Sequence, residues 1–113
     1  MSQPAMDAGA FAEMKEVMGD AFKDVISMCL QSLPEQSSQL ELAIADNNAD
    51  LLFNVAHRMK SSCGSIGAFG LAEKAETIEL MGRNDTLHGA SEALSELQDS
   101  LDEVLALLKK ELT

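Results

Sequence analysis

His57 lies in the stretch Ala56-His-Arg-Met-Lys-Ser-Ser-Cys-Gly64, and Lys60 follows it by one helical turn. An imidazole is a nitrogen nucleophile near neutral pH, and an ammonium at i+3 can offset negative charge on a group that the ring acquires. With the small residues Ser61 and Gly64 close by, this pair suits an exposed side chain that carries a phosphoryl group. It suits metal binding or deprotonation of a buried substrate poorly. The other histidine, His88, has no comparable neighbours.

On a helical wheel with His57 at zero, Leu52, Val55, Met59, Ser62, Cys63 and Ile66 gather on the far side, with Ala56 at the edge of that stripe. That side must enter a core, so His57 points away from it. Phe53, Lys60, Ser61, Gly64 and Ala68 flank the ring. A lone surface histidine is ordinarily incidental, but three features argue otherwise here. Lys60 can stand beside a group on the imidazole. Ser61 and Gly64 keep the surface low enough for another protein to approach. Phe53 puts an aromatic ring where solvation alone favours a polar residue, which marks a docking contact together with Gly64 and Ala68.

Other chemistries fit less well. A di-iron bundle needs Glu-x-x-His pairs, and Asn54 stands three before His57. HExxH, a Walker loop and GxGxxG are absent, so nothing in the chain would bind ATP and make it a kinase. A catalytic pair of Ser61 and His57 lacks an evident acid to orient the ring.

The elements that position these residues are helical. The chain has 113 residues, enough for one domain with one core, taken here as residues 1–113. Tyr and Trp are absent, Phe is scarce, and β-branched runs typical of strands are missing. Residues 1 to about 6 read as frayed. Phe11, Met14 and Met18 define a short first helix from about Asp7, and Asp20 is placed to cap the next. Phe22, Ile26, Cys29, Leu33, Leu40 and Ile44 form one stripe to about Asp46, in phase across Pro34, which predicts a single bent helix. The third helix runs from about Asp50 to Ile66 or Ala68 and the fourth from about Phe69 to Arg83, burying Leu71, Ala75 and Ile78. The last ends near Leu112 on a stripe of Leu94, Leu97, Leu101, Val104, Leu105, Leu108 and Leu112, with Gly89 weakening its first turn. Short connections imply antiparallel neighbours. The expected fold is all-α: an antiparallel up-down-up-down four-helix bundle with a short extra N-terminal helix closing one end.

A formal net charge of −11 disfavours nucleic acid and anionic membrane surfaces as partners. Cys29 and Cys63 fall on apolar stripes without CxxC spacing, so they read as buried thiols. The N-terminus lacks the pattern of a signal peptide and no stretch has the length of a membrane span, which places the protein in the cytoplasm by default.

The stretch Asn54–Arg83, NVAHRMKSSCGSIGAFGLAEKAETIELMGR, resembles the histidine-containing phosphotransfer (HPt) domains of phosphorelays. Ala56, His57, Met59, Lys60, Gly64, Gly67-Ala68, Leu71 and Glu79 carry the likeness, and helix lengths with the mid-helix Pro34 extend it over nearly the whole chain. The resemblance implies that His57 is the phosphorylated residue and that Lys60 steadies the phosphoryl group. It places Glu79 near the imidazole and Arg83 as a basic residue a turn later. Read from spacing alone, Glu79 and Arg83 are equally an ordinary i,i+4 surface pair. Ser61 departs from the family, which commonly has glycine there, and its hydroxyl and Cβ narrow the space around the phosphoryl group.

The expected function is therefore a phosphoryl carrier with no kinase activity of its own. It would accept a phosphoryl group on His57 from a receiver-domain aspartyl phosphate and pass it to another receiver aspartate. Expected partners are response-regulator receiver domains and a hybrid sensor histidine kinase. No cofactor of its own is expected; magnesium belongs to the receiver, and a monomer suffices. Beginning with Met and ending just past its last amphipathic helix, the chain reads as a stand-alone shuttle. The alternatives are the phosphoacceptor domain of a chemotaxis-type kinase and a non-covalent helical interaction module. A kinase dimerisation hairpin fits less well, because Arg-Met-Lys follows His57 in place of an acidic residue and proline.

Overall fold

The computed structural model describes residues 3–113 and contains five α-helices among them: α1 (Ala8–Met18), α2 (Phe22–Ala45), α3 (Ala49–Ser65), α4 (Phe69–Arg83) and α5 (Ala90–Glu111). A 3-10 turn, Gly19–Ala21, joins α1 to α2. The four long helices make the expected up-down-up-down bundle, in which α2 packs on α3 and α5, and α4 packs on the same two. Leu33, Leu40, Leu52, Val55, Met59, Ile66, Leu71, Ile78, Leu97, Val104 and Leu108 are fully buried at its centre. Removing such side chains from water, at ~25 cal/mol per Å² of apolar surface, is the main force holding the helices together.

Three helices end by one device. Asn47, Gly67 and Asp85 adopt left-handed backbone with φ of 52°, 82° and 53°. The N–H of the following residue then returns to a carbonyl five back: Asn48 to Ala43, Ala68 to Cys63 and Thr86 to Met81. Carbonyls that the helix leaves unpaired are satisfied this way, and the chain reverses within a few residues. Tight reversals make sequential helices antiparallel neighbours. At the other ends, Asp7 and Asn48 cap α1 and α3 by accepting from the N–H of Ala10 and Leu51.

Several local expectations are corrected. Residues 3–6 are docked, not frayed: Ala5 and Met6 are buried, and the carbonyls of Pro4 and Ala5 accept from Gly70 and Leu71. They cap α4, whose own N-cap residue Ala68 has no side chain able to do so. Residues 1 and 2 lie outside the described residues. Asp20 sits in the 3-10 turn and does not cap α2, and Gly89 precedes α5 in a left-handed conformation instead of weakening its first turn. Ser62 is only partly buried, with its hydroxyl bonded to the carbonyl of Arg58, and Leu112 is exposed. Helix α2 does run unbroken through Pro34. Cys29 and Cys63 are buried free thiols; burial, with a smaller contribution from the Cys29 charge, pushes the Cys63 thiol up to about 12.

Helices α3 and α4 bring backbone against backbone at Gly82, where an added Cβ would meet Phe53 N at 2.6 Å and Ala49 O at 2.8 Å. Those obstacles are backbone atoms and cannot rotate away. Gly82→Ala is therefore expected to lower stability by about 1–3 kcal/mol. The check is a drop in the urea midpoint at unchanged slope, and an unaltered midpoint would contradict the packing.

Candidate functional site

The site sits where α3 and α4 face each other. On α3, Leu52, Val55, Ala56, Met59 and Cys63 are drawn into the core, which turns His57 outward with 58% of its side chain exposed. On α4, Gly70, Leu71, Ala75, Ile78 and Gly82 are buried, and Glu79 lies among them with only 4% of its side chain exposed. Small residues at 75 and 82, one turn to either side, leave room for its carboxyl group beneath α3.

That carboxyl group binds two partners. Its Oε2 lies 2.7 Å from His57 Nδ1, and its Oε1 lies 2.7 Å from Lys60 Nζ. Burial pushes the Glu79 carboxyl up, but hydrogen bonds from Lys60 and His57, joined by the charges of both, outweigh it and hold the group below its usual range. Glu79 is thus an anion near neutral pH and can only accept hydrogen bonds. It follows that His57 Nδ1 carries the ring proton and donates it to Oε2. In the neutral imidazole the lone pair is then on Nε2, across the ring and directed away from the carboxylate.

Phe53, one turn before His57, stacks on the imidazole with centroids 5.9 Å apart and planes 16° from parallel. The guanidinium of Arg83 lies 5.8 Å from the centre of the Phe53 ring. Arg83, Phe53 and His57 form a short pile along the outside of the α3–α4 pair. Contact on one flank and a hydrogen bond on the other fix the imidazole without enclosing it.

Most of the expected site residues are brought together. Glu79 contacts both His57 and Lys60, Phe53 stacks on His57, and Ser61 and Gly64 lie exposed on α3, with open space around the position a Cβ would take on Gly64. Three expectations change. Ala68 is fully buried where the chain turns into α4, so it offers nothing to a docking partner. Arg83 is not a surface partner of Glu79, because the carboxylate turns inward toward α3 while Arg83 stays out over Phe53. An acid that orients the ring does exist; it lies 22 residues downstream and is supplied by α4, while Ser61 makes no hydrogen bond to His57 among the described residues. At rest Glu79 holds the Lys60 ammonium. The inward position of Glu79 was open to view in the α4 pattern, because Ala75 and Gly82 bracket it on the buried face.

Comparison with known proteins agrees with this geometry. Residues 24–107 match the Hpt domain family. The chain is 31% identical over 86 residues to the signal transduction histidine-protein kinase BarA of Shigella flexneri, and 30% identical to BarA of Escherichia coli K12. Those matches cover 75% of this chain but only 9% of the kinases' length. The crystal structure of histidine-containing phosphotransfer protein B (HptB) from Pseudomonas aeruginosa PAO1 superposes with a TM-score of 0.91 at 25% identity, covering 97% of this chain and 96% of that one.

A depressed carboxyl has a consequence for stability. It stabilises the fold above its unfolded pKa of ~4.3 and loses that contribution as pH falls through its lower folded value. The margin of the wild type over Glu79→Gln is therefore expected to hold above about pH 5 and shrink toward pH 3 in denaturant titrations. A margin that stays constant over that interval would refute the ion pairing. The bundle architecture, the exposed imidazole of His57 clamped through Nδ1, and the match over residues 24–107 together show that this chain belongs to the Hpt domain family.

Proposed function

We propose that the protein carries a phosphoryl group on His57 Nε2 between receiver domains of a phosphorelay. The observation that carries this reading is the 2.7 Å contact of Nδ1 with Glu79, which leaves Nε2 unprotonated and facing outward. In the proposed step a receiver presents an aspartyl phosphate. The Nε2 lone pair attacks phosphorus in line, the P–O bond to aspartate breaks, and its electron pair leaves with the aspartate carboxylate. The second receiver's aspartate takes the group by the reverse path. Magnesium enters with the receiver. Helix α3 holds nucleophile and ammonium in position, so no closure of the protein around a substrate is required.

Lys60 has the charge and location to serve the phosphoryl oxygens. At rest it shares that charge with Glu79, and the exposed third of its side chain gives it freedom to turn outward. Ser61 and Gly64 leave the approach low, while Phe53 and Gly64 form the contact surface. Partners of this kind are receiver domains and a sensor histidine kinase, in keeping with the similarity to part of BarA. No helix among the described residues is long and apolar enough to cross a membrane.

Incubation with a phosphorylated receiver tests the scheme. The wild type is expected to take up acid-labile, base-stable label, while His57→Gln takes up none and keeps its helicity. Label persisting in His57→Gln would remove the basis of the proposal. Lys60→Ala is expected to slow transfer by about tenfold or more without loss of docking. The effect should fall short of the ~10²–10³ typical of a buried oxyanion donor, because Lys60 is partly solvated. Rapid-quench kinetics beside a binding measurement separate the two effects.

A further inference from the structure

Phosphorylation changes the charge of the ring, and the buried carboxylate beneath it responds to that change. Neutral imidazole attacks through Nε2 while Nδ1 keeps its proton. When the Nε2–P bond forms and the P–O bond breaks, the ring becomes an N-phosphorylated imidazolium. If Nδ1 then loses its proton to solvent, the ring is a neutral phosphoimidazole, and giving up the phosphoryl group would require expelling an imidazolate anion. With the proton retained, neutral imidazole departs and the electron pair of the N–P bond returns to Nε2. No proton then has to enter or leave in either direction.

We propose that Glu79 keeps the Nδ1 proton in place throughout the phosphorylated state, so that His57 carries its phosphoryl group as an imidazolium at neutral and mildly alkaline pH. This rests on the carrier reading above. An uncharged amide could accept the same hydrogen bond and select the same tautomer, but it would supply no countercharge. Glu79 places a carboxylate oxygen 2.7 Å from Nδ1, almost entirely removed from solvent, with its other oxygen held by Lys60. An opposite charge at such a distance moves a titration by about 1–3 pH units.

The surrounding groups leave that balance standing. Lys60 opposes a ring cation, yet it contacts the other carboxylate oxygen and not the ring. Arg58, next to His57 on α3, is exposed and screened by water. On α4, Arg83 lies beyond Phe53 and Glu76 is exposed. From α5 only alanine, leucine and valine side chains are buried, and α2 contributes no charged group to the core. The phosphoryl dianion itself favours the cation.

The protein can be labelled with ¹⁵N-histidine and phosphorylated with phosphoramidate, which donates its phosphoryl group and releases ammonia. Long-range ¹H–¹⁵N and ³¹P spectra across mildly acidic to alkaline pH then follow the Nδ1 proton of phosphorylated His57. Exposed His88, which has no side-chain hydrogen bond among the described residues, serves as the internal reference. The wild type is expected to lose that proton about one pH unit or more above Glu79→Gln. The same shift is expected against the His57 phosphopeptide released by proteolysis, a comparison independent of how the variant folds. Titration of the wild type together with the variant and the peptide overturns the inference and leaves the carrier reading intact. Failure of His57 to accept label at all overturns the carrier reading itself.

Discussion

A carboxylate that is almost fully buried cannot remain ionised unless charges or donors meet both of its oxygens. Glu79 meets that condition by drawing one partner to each oxygen from the neighbouring helix: His57 at i and Lys60 at i+3. The spacing matters, because residues three apart lie on one side of a helix and can reach the same point on the opposing one. Through this interaction the position of the imidazole, its tautomer and the resting place of the ammonium are all set by α4. Moving Glu79 by one residue in either direction would bury a hydrocarbon there and leave the ring free to rotate.

The contact demands close approach of α3 and α4, and the fold provides it by local means. Gly82 removes the Cβ that would strike the backbone of Phe53 and Ala49. Gly67 lets the chain turn from one helix into the other with φ of 82°. Gly70 does the same service at the start of α4, where a Cβ would strike the carbonyls of Gln3 and Pro4, the second of which caps the helix by accepting from the Gly70 N–H. Glycines that look like breaks in a helical pattern are here the points where backbone touches backbone. The N-terminal segment thus helps to anchor the helix that carries Glu79, although it lies far from His57 in sequence.

Much of this was legible from periodicity. The apolar stripe of α3 is unbroken from Leu52 to Cys63, so the outward direction of His57 follows from helical geometry alone. The boundaries of α4 and the continuity of α2 across Pro34 followed in the same way, since the stripe keeps its phase on both sides of the proline. What escaped was set by partners distant in sequence. Residues 3–6 have no periodicity of their own; they are held by the unpaired N–H groups at the start of α4 and by the burial of Ala5 and Met6. Ala68 looked exposed when the α3 wheel was carried past Ser65, but the helix ends there and the turn redirects the residue inward. Arg83 and Glu79 are four apart and fit a surface pair; the small residues Ala75 and Gly82 mark Glu79 as inward, but that Arg83 lies over Phe53 depends on how α4 meets α3.

Charge over the rest of the molecule runs against the local chemistry, and the arrangement of cations answers it. The chain bears a formal −11, which opposes the arrival of any anionic group at long range. Arg58, Lys60 and Arg83, three of its eight basic residues, sit on α3 and α4 around His57. Screening confines most of the distant acidic field to about one Debye length, ~8 Å at physiological salt, so near the ring these cations weigh more than the total suggests. Glu79 takes part of the charge of Lys60 at rest, and a dianion on Nε2 would compete for it. On the proposed function, the ammonium that balances a buried carboxylate at rest would lean toward the phosphoryl group once His57 carries one.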